Sequence, residues 1–207
     1  MYLTLKTLSL FVVSALLASQ LDSRQADDAA ALRMSHNART PAAKGTRIRV
    51  PPSVLAKVKA DRTDCAMDAP NELQRFDSYR IPLNNKGAVG VAVWGRSSCY
   101  CGATGNCAFW IFRQSSKSYE PLLKTDMVRD FGFLTSTNNS LRDFVAWSHD
   151  SAELSPARLY RFDGTGYREV CGWDEQTKYR EGPDGSWIAG KTTIESNGCA
   201  EADLRSK

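Results

Sequence analysis

Between Phe76 and Trp173 the chain passes through eight short segments of one kind: FDSYRIPL, AVGVAVWG, CAFWIFRQ, KSYEPLLK, VRDFGFLT, RDFVAWSH, ARLYRFDG and YREVCGW. Each is rich in aromatic and β-branched residues and is bounded by Gly, Asn, Asp, Ser or Pro, which is the pattern of strands joined by turns. A succession of this length with so little sequence between its members predicts an antiparallel, mainly β fold. The clearest turn is Asp163-Gly164-Thr165-Gly166, whose glycines supply the positive-φ positions of a hairpin. In CAFWIFR both faces are apolar, with Cys107, Phe109 and Ile111 on one side and Ala108, Trp110 and Phe112 on the other. That strand is expected in the middle of the fold, covered on both faces.

The strand signals repeat. A shift of 53 positions sets Asn85–Arg96 on Asn138–His149, so that Asn85 meets Asn138 and Trp94 meets Trp147. The following strands match at slightly shorter offsets, Phe112 with Phe162 and Tyr119 with Tyr167. A unit of this size is one small sheet, and two copies are too few to close a propeller ring. The expectation is two blade-like antiparallel units of three or four strands, packed face to face with Trp94, Trp110 and Trp147 between them. A short amphipathic helix, Pro52 to Arg62, precedes them; its Val54, Leu55 and Val58 share one face.

The flanks set the compartment. After Lys6 comes an apolar stretch from Leu8 to Ala18, too short for the ~20 residues of a bilayer span, and it reads as an export signal over 1–20. Residues 21–49 lack aromatics and show little periodicity, which predicts a flexible spacer; 50–199 form one domain and 200–207 a tail. All six cysteines (65, 99, 101, 107, 171 and 199) follow the signal, and an even number in an exported chain favours disulfides. Three of them fall in CYCGATGNC. Joining Cys101 to Cys107 closes a short loop in which Gly102 and Gly105 permit the tight turn. Cys171 with Cys199 and Cys65 with Cys99 would tie down the tail and the helix, although spacing alone does not select these two pairs. The place of the protein is therefore expected to be periplasmic or extracellular, and its state monomeric.

The residues Ser78 to Cys171 resemble an uncharacterised group of exported bacterial proteins that carry C-G-x-x-G-N-C-x-x-W-x-F and a later L-Y-x-F-D-G-x-x-Y. LNNKGAVGVAVWG more distantly resembles the loop and strand of FG-GAP/VCBS-type repeats. The first resemblance implies compartment and architecture without an activity. The second implies calcium loops, but Pro82, Asn84, Lys86 and Gly90 stand where carboxylates would be needed, and a lysine within the loop opposes a cation.

Other chemistry finds little support in the residues. The C-x-C-x5-C spacing is not that of a zinc knuckle, and no C-x-x-C opens a helix. Ser148-His149-Asp150 invites a hydrolase reading, but neighbours on a strand point to opposite faces and no G-x-S-x-G or H-E-x-x-H is present. Asp126, Asp130, Asp143, Glu169 and Asp174 show no spacing that singles out a catalytic pair. A net charge of +4 suits anionic envelope polymers better than nucleic acid. No catalytic, metal or cofactor residue is assigned, and no cofactor is expected. The candidate contact surface is Gly102, Thr104 and Asn106 at the stapled loop, with Trp173 and Trp187 in the Gly- and Asp-rich tail. The leading expectation is a non-enzymatic β module that binds an envelope component or a protein. The alternatives are an inhibitor of an extracellular hydrolase of the lysozyme kind, inserting the stapled loop, and an envelope hydrolase.

Overall fold

A computed structural model describes residues 28–61, 75–116, 118–197 and 199. The expected signal 1–20, Cys65 and the tail 200–207 lie outside them. Residues 28–38 form helix α1. Then follow α2 (Pro41–Lys44), β1 (Thr46–Ile48), α3 (Pro52–Asp61), β2 (Phe76–Pro82), β3 (Val89–Gly95), β4 (Cys107–Gln114), β5 (Tyr119–Val128), β6 (Asp130–Asn138), β7 (Leu141–Trp147), β8 (Leu154–Phe162), β9 (Tyr167–Glu181) and β10 (Trp187–Asn197).

The strands make two antiparallel meanders, β1-β2-β3-β4-β5 and β6-β7-β8-β9-β10, each in sequence order. The fold is mainly β with two packed sheet units, as the strand pattern predicts. Each unit has five strands because β1 adds to β2 and β10 adds to β9. The two sheets face each other across one core, in which Ile81, Ala92, Phe109, Ile111 and Leu122 of the first meet Phe131, Phe133, Phe144, Tyr160 and Phe162 of the second. Rings set the spacing there: Phe109 packs on Phe131 at 4.7 Å between centroids, and Phe144 stacks on Tyr160 at 4.7 Å.

Each sheet is also covered on its outer face, so the molecule has four layers. Against the first sheet lies α3, whose Val54 and Val58 meet Val91, Val93, Ala108, Trp110 and Phe112. At the helix end Asp61 accepts a hydrogen bond from Trp110 Nε1 at 2.8 Å and pairs with Lys124 at 3.0 Å. The central strand β4 is thus buried on both faces, in the division its sequence predicts. The outer face of the second sheet takes α1, through Ala30, Ala31, Met34 and Ala38 against Leu134, Val145, Trp147, Leu159 and Trp173.

Two expectations change. Residues 28–48 are not a spacer: they supply a packed helix, a short helix and an edge strand. The stripe of α1 is made mostly of alanines, which carry little hydrophobic signal but let the helix come very close. A Cβ on Gly132 of β6 would stand 1.7 Å from the Ala38 carbonyl oxygen, so only glycine fits beneath the helix. The second change concerns the tryptophans. Only Trp94 leans into the inter-sheet core; Trp110 faces α3 and Trp147 faces α1. Trp94 and Trp147, matched by the 53-residue shift, therefore point into different layers.

Candidate functional site

The site is built where the longer connections gather, at one end of the sandwich. Loop 96–106 joins β3 to β4 there, Arg129 alone joins β5 to β6, loop 148–153 joins β7 to β8, and the far part of the β9–β10 hairpin runs past them.

The loop 96–106 is closed by a covalent staple. Cys101 and Cys107 are disulfide-bonded with Cα atoms 3.9 Å apart. Inside the ring Gly102 N–H donates to the Asn106 carbonyl at 2.8 Å, and Gly105, with φ +77°, donates to the Gly102 carbonyl at 2.9 Å. Asn106 is buried and ties this loop to the next: its Nδ2 donates to the His149 carbonyl at 2.9 Å, and its Oδ1 accepts from His149 N–H at 2.7 Å. The tip, 102–105, remains exposed. A second disulfide joins Cys171 to Cys199, Cys99 is also disulfide-bonded, and Cys65, its expected partner, is outside the described residues. These bonds indicate an oxidising environment. Among the described residues no helix is long and apolar enough to cross a membrane.

Beneath the loops lies a buried network around Glu175. This carboxylate accepts hydrogen bonds from Trp147 Nε1 at 2.6 Å, Trp173 Nε1 at 3.2 Å, the Ser35 hydroxyl, and Arg39 at 2.6 Å. The Arg39 guanidinium also lies 4.7 Å from the centroid of the Trp147 ring. Four donors from α1, its C-terminal flank and two strands therefore converge on one carboxylate, which fixes the end of α1 over the sheet.

Two adjoining clefts open above this floor. One, of about 410 Å3, is polar and includes Arg39, Lys44, Arg129, Asp130, Trp94, Trp147 and His149 in its lining. Lys44 pairs with Asp130 at 2.7 Å. Arg129 is exposed and has no carboxylate partner among the described residues; its Nη1 lies close to Gly105 of the stapled loop. The other cleft, of about 480 Å3, is lined by His149, Ala152, Glu153, Tyr179 and Trp187. The two share His149, Ala152 and Tyr179, so they form one groove. Its aromatic wall is a two-stranded arm. The β8 ladder ends at Leu154 opposite Gln176, and beyond it β9 pairs with β10 alone. Tyr179 stands opposite Ala189 and Trp187 opposite Glu181, which puts both rings on one face of the arm, diagonal to each other. Trp187 is 71% exposed.

Of the expected contact residues, Gly102 and Thr104 are at the exposed loop tip and Trp187 is on the groove wall. Asn106 is a buried brace between two loops. Trp173 is fully buried under α1, a correction that follows from β9 continuing through it and turning its indole inward to Glu175. Ser148 and His149 fall just beyond β7, and the Ser148 hydroxyl donates to the Pro156 carbonyl at 3.4 Å and not to His149. Asp143 is buried on the α1-side face of the second sheet, away from the groove. Desolvation pushes its carboxyl pKa up, against the opposing pull of the Ser136 hydroxyl at 3.0 Å and of Arg161 at 3.5 Å.

Arg129, Tyr179, Arg39 and Lys44 were not singled out from sequence. For Tyr179 a signal exists: Gly-Pro-Asp-Gly at 182–185 is a turn between two strand-like runs, and it forms one, with Gly185 at φ +76°. For Arg129 the polar pair Arg129-Asp130, interrupting VRDFGFLT, marks the passage from one sheet to the other. Comparisons with protein-family models, curated proteins and solved structures found no match.

Proposed function

We propose that this chain is an exported, non-enzymatic β module that binds an envelope component or a protein partner, and that it binds in the groove at the loop end. The observation that carries this reading is the combination of Trp187, exposed on a projecting arm, with Arg129, a cation that has no carboxylate partner among the described residues. Both line a groove whose floor is locked by Glu175. A large apolar ring held out in water is the mark of a contact surface. The disulfides, which suit an oxidising compartment, and the short apolar stretch near the start support export.

The test is co-sedimentation of the purified chain with isolated bacterial envelope material. The double variant Arg129→Glu/Trp187→Ala should lose retention while unfolding at the same denaturant concentration as the wild type. Retention equal to that of the wild type would overturn the reading.

The exposed and rigid tip 102–105 favours a second reading, inhibition of an extracellular hydrolase by insertion of this loop. In that case a stoichiometric amount of the chain should suppress turnover by a lysozyme, and Thr104→Arg should abolish the effect. Unchanged turnover removes this alternative.

A further inference from the structure

Resting on the groove reading, we infer that the ligand is a carboxylate-bearing glycan, its sugar rings laid on Trp187 and Tyr179 and its carboxylate met by Arg129. The two rings share one face of the β9–β10 arm and look across the cleft toward loop 148–153. Trp187 makes no ring contact among the described residues, so nothing in the fold uses its indole. A flat apolar ring exposed in this way suits the C–H face of a pyranose, which is weakly polar and equally flat.

The charges select the kind of glycan. At the polar end of the groove the cations Arg39, Lys44 and Arg129 outnumber the single carboxylate Asp130, so a negative group is favoured there. Arg39 and Lys44 are held by Glu175 and Asp130, which leaves Arg129 free for a bidentate contact with a carboxylate. At the aromatic end stands Glu153, exposed and acceptor-only. A carboxylate beside the rings accepts hydrogen bonds from sugar hydroxyls, and it places the anionic group of the ligand at the other end of the groove, by Arg129.

The backbone argues the same way. Extended peptides gain much of their affinity from main-chain hydrogen bonds to a sheet edge. Here the two rings stand on the face of the arm, between edges, where side chains and not main-chain groups are presented. A glycan needs only the side chains the groove presents.

The full chain is titrated with polygalacturonate, alginate, polyglutamate and neutral dextran, followed by calorimetry. Binding to at least one of the two polyuronates is expected, weakened by added salt, and neither polyglutamate nor dextran should bind comparably. Trp187→Ala and Arg129→Ala should each weaken it about tenfold. Both residues are exposed, and an unchanged unfolding midpoint checks that the fold is intact. Failure of both polyuronates to bind, equal binding of polyglutamate, or binding indifferent to Trp187→Ala overturns the glycan assignment. The envelope co-sedimentation of the double variant then tells whether the groove reading falls with it: retention still lost in that variant keeps the groove and discards the glycan.

Discussion

The two ends of the sandwich differ in what their polar groups do. At the end where the short turns lie, the turns bind their own polar groups and one another's. Asn84 Oδ1 accepts from the backbone N–H groups of Lys86 and Ala88, both at 2.9 Å. Asp163 accepts from Thr165 N–H, Thr165 hydroxyl, Gly166 N–H and Arg168. Asn138 and Asn139 both donate to the Phe162 carbonyl, and the two-residue turn Asn139-Ser140 takes positive φ at both positions, the geometry that matches strand twist. The turns of the two sheets also bind each other, since Arg142 donates to Asn85 Oδ1 at 2.7 Å. At the loop end, by contrast, the bracing is done by buried groups, Asn106 and Glu175. Of the side chains that reach the surface there, Arg39, Lys44 and Asp130 are paired, while Arg129, His149 and Trp187 are left without side-chain partners among the described residues. The polar groups of the turns are largely committed to one another, whereas the loop end keeps the Trp187 ring and the Arg129 cation available because it is braced from underneath.

The sharpest way to break this contrast is to remove the brace. Glu175→Ala leaves two indole N–H groups and the Ser35 hydroxyl without their acceptor and releases Arg39 from its ion pair. The expected loss of stability is about 3 kcal/mol, toward the low end for a broken buried pair because Arg39 is half exposed. At the turn end, Asn84→Ala removes hydrogen bonds of an exposed turn and should cost about 1 kcal/mol. Urea unfolding of the two variants against the wild type checks the difference. If the two losses are equal, the loop end does not depend on its floor in the way argued.

A smaller effect is expected from opening the staple. The double variant Cys101→Ala/Cys107→Ala frees a seven-residue ring, which in the chain-entropy picture destabilises the protein by about 2 kcal/mol. Asn106 would then lose part of the constraint that sets it against His149, so hydrogen exchange of the His149 amide should speed up by more than that of amides in the turn at 163–166. Equal acceleration at both places would mean that the staple acts on the whole fold and not on this end.

How much of this was legible in the sequence follows from the range of the signals. The strands were readable because alternation of aromatic and β-branched residues is local, and β4 could be placed at the centre because both its faces are apolar. The pairing Cys101–Cys107 was within reach for the same reason, whereas Cys171–Cys199, which joins residues 28 apart, is a pair that spacing alone does not select. Helix α1 was hidden because its contact stripe is alanine, and its fit depends on Gly132, nearly a hundred positions further along the chain. The Trp173 indole was expected at the surface because a Gly- and Asp-rich tail hides the fact that β9 runs straight through it. The groove was not legible at all. Arg39, Arg129, His149 and Trp187 come together only because two meanders of opposite sheets put their irregular connections at the same end, and that follows from topology, which no local pattern encodes.

The smallest expected effect tests the turn end by pH. The hydrogen bonds from Gly166 N–H, Thr165 N–H and the Thr165 hydroxyl, then Arg168, hold the Asp163 carboxyl well below the ordinary carboxylate range. A depressed pKa in the folded state means that the unfolded chain takes up the proton first on acidification. Asp163 therefore adds stability above its unfolded pKa of about 4, and that addition is lost as pH falls toward the folded value. In Asp163→Asn the amide oxygen still accepts from the backbone but carries no charge. At neutral pH the variant should be slightly less stable than the wild type, and the gap should narrow steadily below about pH 4. Denaturant midpoints of both proteins across that range measure it; the carboxylate is fully exposed, so solvent screening keeps the gap small. A gap that does not change with pH would show that the turn is held by shape and not by charge. Because Asp163 lies at the end opposite the groove, the variant should bind polyuronate as the wild type does. A change in binding would mean that the ends are coupled through the core they share.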